Sequence, residues 1–155
     1  MERILNQIHK TLIKNKKTLA VAESCTGGLL CALLTSLSGS SKYFISGVIA
    51  YNNKAKTGIL RVPARIILRK GTVCPEVAAK MAEQARRLAK TDLGIGITGI
   101  AGPTGATTHK PVGTVFIAIE SANKKICKEF HFKGNRAAIR KTSALKALKL
   151  LKNIL

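Results

Sequence analysis

Two short segments hold residue types from which an active site could be made: Ala22-Glu-Ser-Cys-Thr-Gly-Gly28 and Thr98-Gly-Ile-Ala-Gly-Pro-Thr-Gly105. Ser24 is the candidate nucleophile, but a hydroxyl is inert at neutral pH unless a base takes its proton during attack. His9, His109 and His131 are scattered, and none is placed beside Ser24 by spacing, so a Ser-His-Asp arrangement is not supported. A lysine can serve as base when burial or neighbouring cations lower its pKa. The chain has 27 Lys and Arg residues, and spacing does not choose among them. The residues alone therefore leave Ser24 open between nucleophile and ordinary helix-capping serine. Cys25 has no histidine partner and reads as a buried thiol. Glu23 reads as a group that orients the loop by hydrogen bonding.

Both segments contain glycines that would let a ligand approach the backbone, or a helix pack tightly on a strand. Neither matches the phosphate-cradling G-x-x-x-x-G-K-[ST] pattern or the dinucleotide-binding G-x-G-x-x-G pattern.

The elements around these segments set their positions. Ile4, Ile8 and Leu12 recur every four residues and predict an amphipathic helix over 2–16 with its lysines outward. Thr18–Ala22 reads as a short buried strand and Leu29–Leu37 as a helix, which sets Ser24 at a strand's carboxyl end near a helix N-terminus. A strand over Tyr43–Tyr51 and a short helix over 53–60, limited by Pro63, follow. Pro75 opens a helix to about Lys90 with Val77, Met81 and Leu88 inward. Strands over Leu93–Thr98, Val112–Ile119 and Lys125–Phe132 come next, with a loop from Gly99 to Pro111 and a tight connection at Ser121–Lys124. Asn135 caps a final helix marked by Ile139, Leu145, Leu148 and Leu151. Alternating strands and helices predict one α/β domain over residues 1–155, a three-layer α/β/α sandwich around a mixed, mostly parallel sheet.

Bulk properties narrow the class. The four cysteines, Cys25, Cys31, Cys74 and Cys127, lack zinc-like or disulfide-framework spacing, so reduced thiols and no metal are expected. No apolar run is long enough to cross a bilayer and no secretory signal is recognisable at the start, which predicts a soluble, unexported chain. The net charge of +20 attracts anions in general. Its lysines crowd both ends, at Lys10, Lys14, Lys16 and Lys17 and from Lys124 to Lys152; on helices such runs read first as solvated faces.

The motifs Ala22–Gly28, Ser38-Gly-Ser-Ser41, Tyr51-Asn-Asn-Lys-Ala-Lys56, Thr98–Pro103, Lys110-Pro-Val-Gly-Thr114 and Gly134-Asn-Arg-Ala-Ala-Ile-Arg140 occur in this order. Together they resemble the CinA C-terminal domain family over about residues 5–152. The resemblance implies a cytoplasmic amidase that hydrolyses nicotinamide mononucleotide to nicotinate mononucleotide and ammonia, in pyridine-nucleotide salvage, without metal or redox cofactor. It implies Ser24 as nucleophile, Lys56 as base and Tyr51 as an assisting group, with Asn53 shaping the site. Thr98, Gly99, Gly102 and Pro103 would border the substrate, and Arg136 and Arg140 would offer phosphate contacts. The N–H groups of Thr26, Gly27 and Gly28 are the expected oxyanion donors, and positive surroundings are expected to help lower the Lys56 pKa.

Departures from the family pattern are Gly71-Thr-Val-Cys74, where a capping serine is usual, and Thr107-Thr-His109, where acidic residues are usual. The first is expected to concern the fold alone, at roughly 1 kcal/mol of missing helix capping; the second is expected to alter substrate entry or an intersubunit contact. A homodimer is expected. The charge motivates an alternative, a non-catalytic nucleic-acid-binding or competence-associated module, against which stand the missing nucleic-acid motif and the scarcity of aromatics. A third reading keeps the serine but uses another small amide.

Overall fold

A computed structural model describes residues 2–155. In chain order it contains α1 (Glu2–Lys14), β1 (Leu19–Glu23), α2 (Leu29–Leu34), a 3-10 turn at Ser40–Lys42, β2 (Phe44–Ile49) and α3 (Asn53–Gly58). Then follow α4 (Ala64–Lys70), α5 (Pro75–Ala89), β3 (Leu93–Gly99), β4 (Thr114–Ser121), β5 (Lys125–His131) and α6 (Arg136–Lys152). The sheet order is β2-β1-β3-β4-β5. β1 pairs in parallel with both β2 and β3, whereas β4 is antiparallel to β3 and to β5. Only β4 therefore opposes the common strand direction, and the sheet is mixed and mostly parallel.

Strand periodicity sorts the core into two layers. Leu19 and Val21 of β1, Ile95 and Ile97 of β3 and Val115 and Ile117 of β4 join the buried faces of α1, α2 and α6. Ala20 and Ala22 point the other way, towards Val77 and Met81 of α5 and Leu60 and Val62 beyond α3. Near its middle α5 lies almost on the backbone of β3. A Cβ on Gly94 or Gly96 would sit 2.2 Å from the carbonyl oxygens of Ala82 and Ala78, so only glycine permits this approach.

The structure departs from the sequence expectations at three points. α2 stops at Leu34 rather than Leu37; the hydroxyls of Thr35 and Ser36 donate to the Cys31 and Leu33 carbonyls and compete with the helix for them. A helix that the sequence does not announce, α4, begins directly after Pro63, whose missing N–H falls where a helix needs no donor. Leu88, expected inward, is 49% exposed: it shares the face of Val77 and Met81 but lies in the last turn of α5 and joins none of the three buried clusters. Asn135 caps α6 as expected, its side-chain oxygen accepting from Ala138 N. Among the described residues no helix is long and apolar enough to cross a membrane.

Candidate active site

Ser24 follows β1, the strand between β2 and β3, and its backbone N–H still donates to Ile97 O at 3.0 Å. The chain then turns through Gly27 and Gly28 into α2. The turn is held from inside by Glu23, whose fully buried carboxylate accepts from the N–H groups of Gly28 (3.1 Å), Leu30 (3.2 Å) and Cys31 (2.7 Å). A carboxylate on the free donors of a helix N-terminus is favourable both as a cap and with the helix dipole. From outside, Arg140 of α6 donates through Nε (3.2 Å) and Nη2 (2.8 Å) to Thr26 O.

Lys56 arrives from the neighbouring strand. β2 ends at Ile49, Asn52 caps α3 by accepting from Ala55 N, and Lys56 is one turn into that helix. Its Nζ lies 2.9 Å from Ser24 Oγ, 2.9 Å from Ala50 O and 3.4 Å from Tyr51 O. The side chain is 2% exposed and makes no ion pair among the described residues. Burial, rather than the positive surroundings expected from the sequence, lowers the Lys56 pKa. A neutral amine here can give two N–H groups to the Ala50 and Tyr51 carbonyls and turn its lone pair to Oγ. That arrangement can accept the hydroxyl proton as Ser24 attacks a carbonyl.

Ser24 and Lys56 open onto a cleft of about 260 Å³, just under the roughly 300–1,000 Å³ usual for small-molecule pockets. Thr98, Gly99 and Gly102, at and beyond the end of β3, and Tyr51 and Asn53, beyond β2, line it on either side of the β1 end, and Arg136 lines it too. Thr98 is buried and its Oγ1 donates to Thr72 O at 2.9 Å, tying the wall to the segment before α5. Gly102 has φ +75, and a Cβ there would meet Val112 Cγ1 at 2.5 Å. Arg136 bridges the mouth: Nη1 donates to Gly102 O at 2.9 Å, and Nη2 donates to the hydroxyl of Tyr51, which is 54% exposed.

Eight of the sequence candidates thus line one cleft: Ser24, Lys56, Tyr51, Asn53, Thr98, Gly99, Gly102 and Arg136. Thr26, Gly27, Gly28 and Arg140 do not. Thr26 is wholly buried, Gly27 N donates to Ser24 O and Gly28 N to Glu23, so the latter two are not free oxyanion donors. A Cβ at Gly27 would lie 3.2 Å from Arg140 Nη2, and one at Gly28 would lie 3.0 Å from Ile49 Cδ1. Arg140 is engaged with Thr26 O, and Pro103 is exposed beside the cleft without lining it. Cys25 does line it, but burial pushes its thiol up to about 12, which leaves no thiolate to attack.

Sequence reasoning missed Thr72, Val73, Ile100, Ala101, Thr104 and Gly105, which also line the cleft. The altered segment Gly71–Cys74 carries the first two, so it belongs to the site wall as well as to the fold. The signal for Ile100 to Gly105 was present, since they fill the gaps in a motif already singled out. Among the described residues no cluster of three or more His, Cys, Asp and Glu side chains is placed to hold a metal.

The family model described as the CinA C-terminal domain matches residues 1–155. The CinA-like proteins of Syntrophus aciditrophicus and Desulfotalea psychrophila are each 46% identical over 155 residues, covering 99% and 100% of this chain. The chain spans 37% of the length of each. The crystal structure of competence/damage inducible protein CihA from Agrobacterium tumefaciens superposes with a TM-score of 0.96 at 32% identity, over 99% of this chain and 94% of that one. A competence-damaged protein (CinA) superfamily structure from Escherichia coli gives 0.93 at 32% identity, over 98% and 90%. With a family match along its whole length and the same fold, the chain belongs to the CinA C-terminal domain family.

Proposed function

We propose that the chain is an amidase acting on a nicotinamide nucleotide, with nicotinamide mononucleotide as substrate, Ser24 as nucleophile and Lys56 as base. The observation that carries this reading is the buried Lys56 amine 2.9 Å from Ser24 Oγ, with its pKa lowered by burial. In the proposed sequence Ser24 Oγ forms a bond to the amide carbon while its proton passes to Lys56. The tetrahedral intermediate collapses, the C–N bond breaks, and Lys56 returns the proton to the leaving ammonia. Water then attacks the acyl-serine, again giving a proton to Lys56, and the carboxylate product leaves as the Ser24 hydroxyl is restored. The atoms balance as amide plus water to carboxylate plus ammonium.

The cleft suits the pyridine carboxamide end of such a substrate, with the ribose and phosphate extending past the rim. Arg136 stands there as a planar donor, which matches phosphate better than an ammonium does. Tyr51 and Asn53 would shape the mouth, and Thr98, Gly99 and Gly102 the wall. Reaction in the cytoplasm belongs to the same proposal. It is tested by ammonia release from nicotinamide mononucleotide and from other nicotinamide-bearing compounds. Release from the mononucleotide, abolished by Ser24→Ala, is expected. Equal release by the Ser24→Ala and parent chains, or none from any compound, overturns the reading.

A further inference from the structure

The excess charge is not spread evenly. No acidic residue follows Glu129, and Glu2 alone precedes Glu23. α1 and α6 pack side by side on one face of the sheet, and each presents a row of cations to solvent. On α1 the row is Arg3, Lys10 and Lys14, at i, i+7 and i+11; on α6 it is Lys141, Lys149 and Lys152, at i, i+8 and i+11. All six are exposed, and none forms an ion pair among the described residues. Between the helices runs a groove of about 420 Å³, with Ile4 and Leu145 in its lining and Arg3, Lys149 and Lys152 beside them.

We propose that this α1/α6 face is a docking surface for duplex nucleic acid, held through its phosphates and independent of the catalytic proposal. Each row is about 16 Å long at the helical rise per residue, which spans about five phosphates of one duplex strand. Two such rows flanking a groove can neutralise a phosphate backbone from both sides. The rows lack the exposed aromatic side chains that would stack on unpaired bases, which favours a duplex over a single strand. An anionic membrane fits less well. The large exposed apolar residues, Ile45, Ile49, Tyr51, Ile59, Leu68 and Leu88, all lie off α1 and α6, and Ile4 and Leu145 are half-buried in the groove, so among the described residues this face presents no strongly exposed apolar side chain to sink into lipid.

The test is fluorescence anisotropy with a mixed-sequence DNA duplex of about 20 base pairs over a salt series, beside vesicles containing phosphatidylserine. Six contacts predict a log–log salt slope of about −5, or about a thousandfold weaker binding at 200 mM than at 50 mM salt. The triple variant Lys141→Glu/Lys149→Glu/Lys152→Glu is expected to weaken binding more than tenfold and flatten the slope to about −3. A Lys→Gln triple at the same positions should do so to a smaller degree, and guards against a folding defect. The equal charge change Arg61→Glu/Arg65→Glu/Arg69→Glu, around α4 on the opposite layer, should have less than a threefold effect. No duplex binding at 50 mM salt overturns the proposal. So do equal losses from both charge-reversed triples, or vesicle binding as tight as duplex binding.

Discussion

Lys56 Nζ sits 2.9 Å from Ser24 Oγ although thirty-two residues separate them in the chain. The contact follows from parallel pairing. β1 and β2 lie side by side with Glu23 opposite Ile49, so the segments that leave both strands emerge at the same sheet edge. Ser24 is the first residue beyond one strand, and Lys56 is one turn into the helix beyond the other. The carboxyl edge of parallel strands is where open α/β sheets collect ligands.

Replacing Lys56 by Gln should lower kcat for ammonia release by about 10²–10⁴-fold, the usual contribution of a positioned base. Ser24→Ala should lower it by at least about a thousandfold. The double variant should be little worse than the worse single one, since the two act as a unit. Additive losses in a mutant cycle would show that they act separately.

The base form of Lys56 is the neutral amine, so kcat/KM should rise with pH and level off below the usual lysine value of about 10.4. Folding lowers this pKa, so between the folded and unfolded values the unfolded chain binds more protons and the Lys56 share of stability rises with pH. A rate that falls steadily between about pH 6 and 9 would contradict the role.

Arg136→Ala removes the bridge from Gly102 O to the Tyr51 hydroxyl and the proposed phosphate donor. KM for the mononucleotide should rise about 10–100-fold, the equivalent of one charge-assisted hydrogen bond, with a smaller change in kcat. Arg136→Lys should recover little of it, because an ammonium cannot span both partners. Steady-state kinetics with nicotinamide riboside, which lacks the phosphate, should show a much smaller change; an equal change there would remove the phosphate assignment.

Glu23→Gln keeps the size of the side chain but trades one of its two accepting oxygens for a donor aimed at the N-terminus of α2. The expected cost is about 2 kcal/mol, seen as a thermal midpoint lower by about 4–8 °C, with turnover reduced because the Ser24 turn loses its inner brace. An unshifted midpoint would mean that the three N–H bonds to this carboxylate are dispensable.

Cys74 is the N-cap of α5 and makes no capping hydrogen bond. Cys74→Ser supplies a better acceptor and should add about 1 kcal/mol, raising the midpoint by about 2–4 °C. A lower midpoint would mean that packing of the thiol among Ala20, Ala22 and Val77 outweighs the cap.

Most of the architecture was legible because burial imposes a period on the chain. The rows Ile4-Ile8-Leu12 and Val77-Met81, the apolar runs of β1 and β3 and the Asn135 cap announce their elements locally. α4 stayed hidden because it is short and follows a proline that equally suits a loop. Leu88 misled because the helical period reports a face, and not whether another layer lies over that turn.

The site divides in the same way. Residue order alone picked out Ser24 at the end of a buried strand and the glycine-bearing segment after Thr98, since both interrupt apolar runs with small and polar groups. Residue types and spacing could not choose one lysine from a basic chain, and only the resemblance of the Tyr51–Lys56 motif pointed to Lys56; neither showed that Gly27, Gly28 and Arg140 spend their contacts on each other and on the turn. Nor did either show that Thr72 and Val73 face the cleft. Those matters depend on which strands are neighbours and in which direction they run. Strand order is a property of the folded sheet: it brings distant segments to one edge, and there burial takes the Lys56 amine out of water and lowers its pKa.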